Sequence, residues 1–435
     1  MSRISINDAQ IGQMKKLFRS LWPINRSLAG PGFRKSLDVL SSKMPMERHR
    51  FKTNQKIFDW TIPEEWDVKD AWFADSSGKK YAEFKNNNLH LVSHSNPYMG
   101  HLPLSELSQH IHTLPGQPDA IPYRTAYYKE TWGFCLSYNE FSRLKDGDYQ
   151  VHIDTTLQPG YIEIGEAVLP GESDQEILFS TYLCHPSMAN NELSGPIAMV
   201  FLYELLKIQP KRRYTYRFVI SAETLGTLCF LSLRGQHLKN KLMAGYVMTC
   251  LADRGEFTYK ESRKTGTLGD RAAHLVLKGL GRHHLCSFDP GNGSEERQYC
   301  SPGFNLPVGS LMRTMYSRFS EYHTSLDNEK FISFVSLKES VEAYAKIAFV
   351  LENNFFWWNK VQFGEPQLGA RKLYPECGFS DTLEQRTEAM MWLINFSDGE
   401  HDLMSIAERS GQDIMLLISV AEELRSKGLF QKCHS

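Results

Sequence analysis

The chain has 435 residues, of which 41% are hydrophobic and 23% charged, and its formal net charge at pH 7 is −1. This length allows two or three domains, and the composition is that of an ordinary globular protein. The balanced charge excludes a strong overall attraction to nucleic acids or membrane surfaces. No stretch approaches the roughly 18 apolar residues of a membrane span, and the polar start MSRISINDAQ is unlike a signal peptide.

The eight cysteines are dispersed along the chain, and no two of them form a Cys-x-x-Cys pair. A zinc knuckle is therefore not expected. Cysteines inside apolar runs, such as VMTCLA and TLCFL, are typical of buried free thiols. These features together predict a cytoplasmic protein that does not bind membranes.

Two helices are predicted near the N-terminus, where apolar residues recur at helical spacing and a Gly-Pro-Gly break follows. The pattern then changes, and residues 56–164 alternate aromatic and polar side chains around turn signals, as in FDWTIPEEW. Such alternation predicts short strands. We therefore expect a small β-rich domain inserted into the chain.

Strand and helix patterns alternate between residues 165 and 355. EILFSTYLCH predicts a buried strand that ends at His185, SGPIAMVFLYELLKIQ predicts the helix behind it, and later strands end near Glu223 and Asp253. This repetition predicts a mostly parallel mixed sheet flanked by helices, with a functional site at the carboxyl ends of its strands. Residues 1–55 and 165–355 would form this one discontinuous α/β domain.

Residues 365–435 carry three helical segments and a Lys-Gly-Leu exit, an order that resembles a winged helix-turn-helix. From Asp381 onwards, five basic residues stand against ten acidic ones, which is a poor match to a phosphate backbone. We therefore expect no nucleic-acid binding and disfavour a transcription factor. Docking or dimerisation is the better hypothesis, with a homo-oligomer formed through this domain or the inserted one as an open alternative.

Polar residues of four clusters follow the predicted strands of the α/β domain. They are His185 with Asn191 and Glu192, then Glu223, then Asp253, and finally His323 with Asp327. Zinc accepts imidazole and carboxylate donors, and a hydrolytic zinc site also needs a nearby carboxylate as base. Each cluster alone has an ordinary structural explanation, such as an acidic residue at a helix N-terminus. Their succession at one predicted sheet edge indicates a metal site.

The order of these clusters resembles the co-catalytic zinc aminopeptidase clan of bacterial leucyl aminopeptidases and glutamate carboxypeptidase. More closely, the chain is similar to bacterial aminopeptidase-like domain proteins that occur with polysaccharide or natural-product gene clusters. The matching segments are FDWTIPEEW, HTLPGQPDAIPYRTAYYKETWGFCLS, CHPSMANNELSGP, GSEERQYCSPGFNLPVGSLMRT and EYHTSLDN. The resemblance implies a zinc-aminopeptidase-like fold with a β-rich insert and a C-terminal winged helix.

The resemblance also implies a role for each matching residue. His185 and Asp253 correspond to ligands of one metal, and His323 corresponds to a ligand of the other. Asn191 corresponds to the residue that bridges both metals. Glu223 corresponds to the general base.

Four residues are predicted to contact the substrate. SEERQY corresponds to a segment that lines the pocket in the clan, which makes Glu295, Arg297 and Tyr322 candidates. Glu192 or Glu295 would hold a free α-amino group. The aromatic residues at positions 123, 127, 128, 132 and 134 either roof the pocket or form the core of the insert.

Two positions depart from the clan, because Asn191 replaces the bridging carboxylate and Thr224 replaces a second Glu. An amide oxygen is a neutral, weaker donor, so two adjacent dications would be poorly neutralised. We therefore expect one zinc ion rather than two.

The leading hypothesis is a metal-dependent amide hydrolase of the aminopeptidase type, in which Glu223 activates water. Its substrate would be a small amino-acylated metabolite or a peptide, and the gene contexts of the family suggest a biosynthetic pathway. The alternative is a catalytically degenerate protein that serves as a binding or scaffold module. Asn191 and Thr224 favour this alternative, whereas the retained histidines and Glu223 oppose it.

Overall fold

The computed structural model describes residues 5–373 and 381–433. Its α-helices are α1 (Asp8–Leu21), α2 (Pro31–Ser41), α3 (Leu104–Leu107), α4 (Tyr138–Phe141), α5 (Ser194–Lys207), α6 (Leu225–Lys241), α7 (Leu268–Leu280), α8 (Glu296–Tyr299), α9 (Phe334–Asn353), α10 (Asp381–Phe396), α11 (Leu403–Ser410) and α12 (Ile414–Ser426).

The β-strands in the same residues are β1 (Glu47–Lys52), β2 (Lys56–Ile57), β3 (Trp60–Thr61), β4 (Glu65–Ala74), β5 (Lys80–Tyr81), β6 (Tyr98–Pro103), β7 (Ile111–His112), β8 (Phe134–Cys135), β9 (Asp148–Gln158), β10 (Tyr161–Leu169), β11 (Glu176–Tyr182), β12 (Thr215–Ser221), β13 (Leu242–Met248), β14 (Phe257–Lys260), β15 (His283–Cys286), β16 (Val308–Met312), β17 (Phe356–Asn359), β18 (Asp398–Asp402) and β19 (Phe430–Lys432).

An eight-stranded sheet in the order β1-β10-β12-β11-β13-β16-β14-β15 forms the centre of the α/β domain. Its four middle strands, β12, β11, β13 and β16, run parallel. On one side β10 pairs antiparallel with β12 and β1 antiparallel with β10, and on the other side β14 pairs antiparallel with β16 and parallel with β15. The predicted mixed, mostly parallel sheet flanked by helices is confirmed. Because parallel strands end at the same edge, the loops after β11, β12 and β13 lie together.

Both faces of this sheet are covered by helices. Along β11, Ile177 and Phe179 join a core that includes α1, α2, α5, α7 and α9, whereas Leu178 joins a second core with α6 and α8. Successive side chains of a strand point to opposite faces, so a run of apolar residues is needed when both faces are buried. This requirement explains the apolar run Ile-Leu-Phe within EILFSTY, all of whose residues are buried.

The β-rich insert is built around a separate four-stranded sheet in the order β5-β4-β9-β6. Its own core includes Phe73, Phe134 and Val151, with Trp132 packed against it. The predicted insert ran to residue 164, but β10 begins at Tyr161 and pairs with β1 and β12 of the main sheet. The chain therefore returns to the α/β domain directly after β9.

The C-terminal unit contains α10, α11 and α12 and a three-stranded sheet in the order β18-β17-β19. Its first strand begins at Phe356, nine residues before the predicted boundary at 365. Residues of α12 such as Leu417 and Leu424 join the same apolar core as α7 and α9. The winged helix therefore packs onto the α/β domain.

No described helix is long and apolar enough to cross a membrane. The seven cysteines in the described part of the chain are free thiols, and five of them are buried, as VMTCLA and TLCFL suggested. Cys377 lies outside the described residues.

A half-buried ion pair joins the C-terminal unit to α7. The Arg271 guanidinium donates to both carboxylate oxygens of Asp402 at 3.0 and 3.1 Å and also contacts Glu408. Asp402 is also the N-cap of α11 and accepts a hydrogen bond from Asn354 at 2.9 Å. Burial opposes ionisation of Asp402, but these donors outweigh it and lower the pKa of Asp402 to about 2.

Asp402→Asn is expected to weaken this attachment, because asparagine keeps the helix cap but loses the charge that Arg271 neutralises. A folded-state pKa below the unfolded value adds stability above about pH 4 that is lost as the pH falls towards 2. We expect a loss of about 2 kcal/mol in the free energy of unfolding at pH 7, measured by urea denaturation. The matched control is Asp413→Asn, which alters the N-cap of α12, where no ion pair with Asp413 is formed among the described residues. An equal loss in both variants would contradict the role of the ion pair.

Candidate functional site

His185 lies in the loop after β11, where a buried carboxylate fixes its ring. Glu192 accepts hydrogen bonds from the His185 backbone N–H at 2.9 Å and from Nδ1 at 2.7 Å. Glu192 belongs to a π-helical turn, Ala189–Leu193, that leads into α5. Because Nδ1 is held in this way, Nε2 is the ring nitrogen that is available to a ligand. A carboxylate behind a histidine is the usual support of a metal-binding imidazole.

The pKa of His185 lies well above its ordinary value. Burial alone would lower this pKa, but the Glu192 carboxylate bonded to Nδ1 outweighs it. The thiol of Cys184 is itself buried, which raises its pKa to about 11. Cys184 therefore stays protonated at neutral pH and is not an activated nucleophile.

Asp327 holds the start of the same turn by hydrogen bonds to its backbone. Its carboxylate accepts hydrogen bonds from the backbone N–H groups of Asn190 and Asn191 at 2.7 and 2.9 Å. The first N–H groups of a helix lack partners within the helix, so a carboxylate there is favourable. Burial raises the pKa of Asp327 to about 7 despite these bonds.

Glu223 follows β12 and stands opposite His185. Its Oε2 lies 3.6 Å from His185 Nε2, and its Oε1 accepts a hydrogen bond from Ser294 Oγ at 2.7 Å. Leu225 N–H donates to Glu223 C=O at 2.7 Å around Thr224, whose φ of 60° and ψ of −72° define a γ-turn of the rare positive-φ type. Strained backbone of this kind collects at functional sites.

His323 comes from the loop before α9 and faces His185, with 5.2 Å between the ring centroids. Tyr322 stacks on the His323 ring at 3.9 Å. Burial, together with the nearby His185, lowers the pKa of His323 to about 3, so its imidazole is neutral. Neither ring nitrogen is hydrogen-bonded to another described residue. His323 therefore offers a free donor nitrogen.

The insert completes the site through Tyr123. Tyr123 N–H donates to His323 C=O at 2.9 Å, and Ile121 and Ser325 exchange hydrogen bonds beside it. The Tyr123 ring lies 5.1 Å from that of His185 and 5.4 Å from that of His323. Burial raises the pKa of Tyr123 well above its ordinary value, so the phenol keeps its proton.

These residues surround a cavity of about 540 Å³. Its lining comes from both domains: Leu28, Trp60, Tyr123, Arg124, Thr125, Tyr127, Tyr128, Cys184, His185, Glu223, Thr224, Leu225 and His323. Of the aromatic residues considered for a roof, Tyr123, Tyr127 and Tyr128 line the cavity, whereas Trp132 and Phe134 belong to the core of the insert. Part of that segment therefore lines the pocket, and part of it forms the core of the insert, so each of the two hypotheses is correct for some of its residues.

Asp253 does not line this cavity, although it follows β13. Its carboxylate accepts hydrogen bonds from Asn190 Nδ2 at 2.9 Å, Gly255 N at 2.7 Å and Thr314 Oγ1 at 2.7 Å. These donors occupy its lone pairs and direct it towards the protein interior. The arrangement does not bring Asp253 together with His185 as a shared ligand set.

Asn191 is 1% exposed, and neither Oδ1 nor Nδ2 has a hydrogen-bond partner in the described structure. Such an orphaned amide costs free energy unless a ligand or water satisfies it. The side chain is thus a neutral, unsatisfied polar group at the position where the resemblance places a bridging carboxylate.

Two of the predicted substrate contacts lie away from the cavity. Glu295 is fully buried and accepts hydrogen bonds from the hydroxyls of Ser180, Ser221 and Thr227 at 2.7 to 3.1 Å. Burial raises its pKa to about 8 in spite of these bonds. Arg297 is exposed, with Nη1 3.5 Å from the carbonyl oxygen of Pro290.

The other two predicted substrate contacts, Glu192 and Tyr322, contact side chains of the protein. Glu192 orients His185, and Tyr322 packs against His323. Three contacts were not predicted from the sequence: that of Ser294 with Glu223, and those of Arg124 and Trp60 with the cavity. Ser294 is the first residue of the SEERQY segment, which was predicted to line the pocket, whereas no sequence pattern pointed to Arg124.

Three residues with possible metal donors line the cavity: His185, whose Nε2 is 3.6 Å from Glu223, Glu223 itself, and His323, whose ring centroid is 5.2 Å from that of His185. The donor atoms of the three do not all lie within 4.8 Å of one another. Imidazole and carboxylate are donors that zinc accepts. Cys184, His185 and Glu192 bring donor atoms within 4.8 Å of one another, but there Nδ1 is occupied by Glu192. A further group, Glu47, His49 and Glu166, is part of an ion-pair network with Arg217 and Arg234.

Comparison with known proteins agrees with this fold. Residues 15–354 match the family described as a domain of unknown function (DUF4910), and residues 356–432 match a winged helix-turn-helix family. A relative from Clostridium acetobutylicum, named as a polysaccharide biosynthesis protein with an aminopeptidase-like domain, is 42% identical over 414 residues, which are 95% of this chain and 94% of the relative.

Two solved structures extend the comparison. A crystal structure from Clostridium acetobutylicum, named as a peptidase, is 40% identical, covers 97% of this chain and 96% of its own, and has a TM-score of 0.91. A zinc aminopeptidase from Bacillus subtilis is 12% identical over 78% of this chain and 93% of its own, with a TM-score of 0.56, which shows a common fold only. The chain therefore belongs to the DUF4910 family and combines a zinc-aminopeptidase-like α/β domain with a C-terminal winged helix-turn-helix domain.

Proposed function

We propose that this protein is a zinc-dependent amide hydrolase that acts on a small amino-acylated or peptide substrate in a biosynthetic pathway. The observation that supports this most directly is that His185, Glu223 and His323 line one cavity, with His185 Nε2 3.6 Å from Glu223 and the His185 ring oriented by Glu192. The name of the Clostridium acetobutylicum relative supports a pathway in polysaccharide biosynthesis.

A single zinc ion fits the residues present better than two. His185 and His323 would hold it, with the amide oxygen of Asn191 as a further candidate because that atom is buried and unsatisfied. A second ion would need the carboxylates that Asn191 and Thr224 replace. When bound, zinc supplies Lewis acidity, which lowers the pKa of water and polarises an amide carbonyl.

The residues of the chain would then move the proton. Glu223, held by Ser294, accepts a proton from the attacking water as the new C–O bond forms, and it passes that proton to the leaving amine as the C–N bond breaks. Tyr123 keeps its proton and its ring lies against both histidines, so its hydroxyl, which is 3.4 Å from that of Tyr127, would be the donor to the developing oxyanion.

A binding or scaffold protein without catalysis is the second candidate, and two observations favour it. Asn191 brings no charge to the site, and Asp253 is held by Asn190, Gly255 and Thr314. The neutral side chain of Asn191 and the hydrogen bonds that hold Asp253 both weaken the attraction of the site for a dication.

We propose that the C-terminal domain packs on the α/β domain as a structural unit. We expect it to bind neither nucleic acid nor membranes. In support, α12, the second helix of the helix-turn-helix, buries Leu417 and Leu424 in the core shared with α9. From Asp381 onwards five basic residues stand against ten acidic ones, which is a poor match to a phosphate backbone. A homo-oligomer and a cytoplasmic location remain predictions.

The role of Glu192 can be tested by zinc titration. Glu192→Ala should lower zinc affinity by about 10- to 100-fold, because His185 loses the acceptor that fixes its ring. Glu192→Gln keeps an acceptor for Nδ1–H and is the matched control, with a smaller loss expected. Isothermal titration calorimetry measures both. Unchanged affinity in Glu192→Ala would refute this role.

The proposed hydrolysis is tested by screening amino-acyl amides with protein purified without chelator. Glu223→Gln should lower kcat by about 10²- to 10⁴-fold while zinc content stays near that of the natural protein. His185→Ala should lose both zinc and turnover. Glu130→Gln, which alters an exposed carboxylate of the insert, should change neither. Turnover that survives Glu223→Gln would remove the mechanism, and zinc binding without any turnover would favour the second candidate.

A further inference from the structure

Ser294, which donates to Glu223, is followed in the chain by two buried carboxylates. Glu295 and Glu296 are both 0% exposed, and Ser294 itself is 3% exposed. A carboxylate is almost never buried to this degree unless it is hydrogen-bonded or paired with a cation. The partners of these two side chains therefore decide where the backbone of Ser294 lies.

Glu296 is held by a buried lysine on β14. Lys260 Nζ lies 2.9 Å from Glu296 Oε1, and the two side chains are 1% and 0% exposed. The same ammonium donates to the C=O of Asp289 at 3.0 Å and also contacts the C=O of Asn292. Tyr316 OH donates to Glu296 Oε1 at 2.9 Å. Lys260 thus ties the loop before α8 to the main sheet.

Glu296 in turn fixes Ser294. Its two carboxylate oxygens lie 3.0 and 3.1 Å from the Ser294 backbone nitrogen, whose N–H they accept. The neighbouring Glu295 is held separately, by hydroxyl groups on β11, β12 and α6. With its backbone fixed on both counts, Ser294 Oγ donates to Glu223 Oε1 at 2.7 Å.

Stability alone does not account for the buried pair of Lys260 and Glu296. The loss of hydration of two charges is costly, and an apolar pair of similar volume is often as stable in such a place. An apolar pair offers no acceptor for the Ser294 N–H, however. The ion pair is therefore suited to fixing the direction of a neighbouring group.

We propose that Lys260 and Glu296 are positioning residues for Glu223: they fix Ser294, and Ser294 directs the Glu223 carboxylate towards His185. Neither Lys260 nor Glu296 lines the cavity, so both would act through Ser294. This inference rests on the proposed function for the role of Glu223 as base, whereas the positioning itself is independent of it. A misplacement of about 1 Å at a reacting group lowers a rate by about 10²-fold.

Two charge-free replacements of the ion pair separate positioning from stability in the full-length protein. Lys260→Met with Glu296→Leu, the first double variant, removes both charges and the acceptor for Ser294 N–H. Lys260→Met with Glu296→Gln, the second, removes the same charges but keeps a side-chain oxygen as acceptor. Urea denaturation should show both to be about as stable as the natural protein.

The kinetic readout is hydrolysis of amino-acyl amides. We expect kcat to fall about 10- to 100-fold in the first double variant with KM unchanged, and to be largely restored in the second. Ser294→Ala should lower kcat to a similar extent. Adding the first double variant to Ser294→Ala should have little further effect, because both changes break the same chain of contacts.

Hydrogen exchange and crystallography need no turnover. Exchange of the peptide that covers residues 289–296, measured by mass spectrometry, should be faster in the first double variant and close to that of the natural protein in the second. In crystal structures, Glu223 Oε1 should leave Ser294 Oγ in the first double variant and stay in place in the second.

The matched control is Arg34→Met with Glu65→Leu, which removes another largely buried ion pair whose residues do not line the cavity. It should change neither kcat nor the exchange of residues 289–296. The proposal is overturned if exchange and the position of Glu223 are unchanged in the first double variant, or if kcat falls equally in both double variants.

Full kcat in Ser294→Ala would also overturn it, and this small substitution decides the matter even where the first double variant does not fold. A natural protein that hydrolyses no amide would contradict the proposed function alone. Hydrogen exchange and the crystal structures would still show whether the ion pair fixes Glu223.

Discussion

The hydrogen bond between Glu192 and His185 Nδ1 is the contact on which the site depends. It is fully buried, and the same carboxylate also holds the His185 backbone N–H. A buried carboxylate that accepts two hydrogen bonds fixes both the loop and the ring, so Nε2 has one direction in which to act. The π-helical turn that carries Glu192 is fixed in turn by Asp327.

The second constraint is that the cavity is shared between two parts of the chain. Residues 121–123 of the insert pair with residues 323–325 of the loop before α9, so Tyr123 and His323 are positioned together. His323 adopts a φ of 54°, which is unfavourable for a non-glycine residue and persists where surrounding contacts enforce it. The insert is therefore a structural part of the site, and removal of residues 111–135 would also release the histidine loop.

Much of the fold follows from patterns that are visible in the sequence. Apolar runs that alternate with amphipathic helices predict a parallel sheet, and they place His185 and Glu223 at one edge because parallel strands share their direction. The ligand set could not be derived in the same way. Asp253 follows β13 as expected, yet Thr314 and Gly255 draw its carboxylate inwards, and such donors come from loops that have no periodicity. The exposure of Arg124 and its lack of a partner among the described residues could not be predicted either, because both are properties of the folded chain.

The balance of negative charge near the site gives physical sense to the loss of two carboxylates. Asp253 is held by donors from Asn190, Gly255 and Thr314, and Asp327 by the backbone N–H groups of the turn, and neither lines the cavity. Glu295, with its pKa raised to about 8 by burial, is protonated at neutral pH and adds no charge beside Glu223. Glu223 is thus left as the carboxylate that faces the cavity. One carboxylate with two imidazoles balances a single dication far better than a pair of dications 3–4 Å apart, where the mutual repulsion of the ions requires several negative ligands. Asn191 and Thr224 therefore have the same electrostatic effect: each leaves less negative charge for a second ion than a carboxylate would, and Asn191 would also hold a first ion less tightly than a carboxylate.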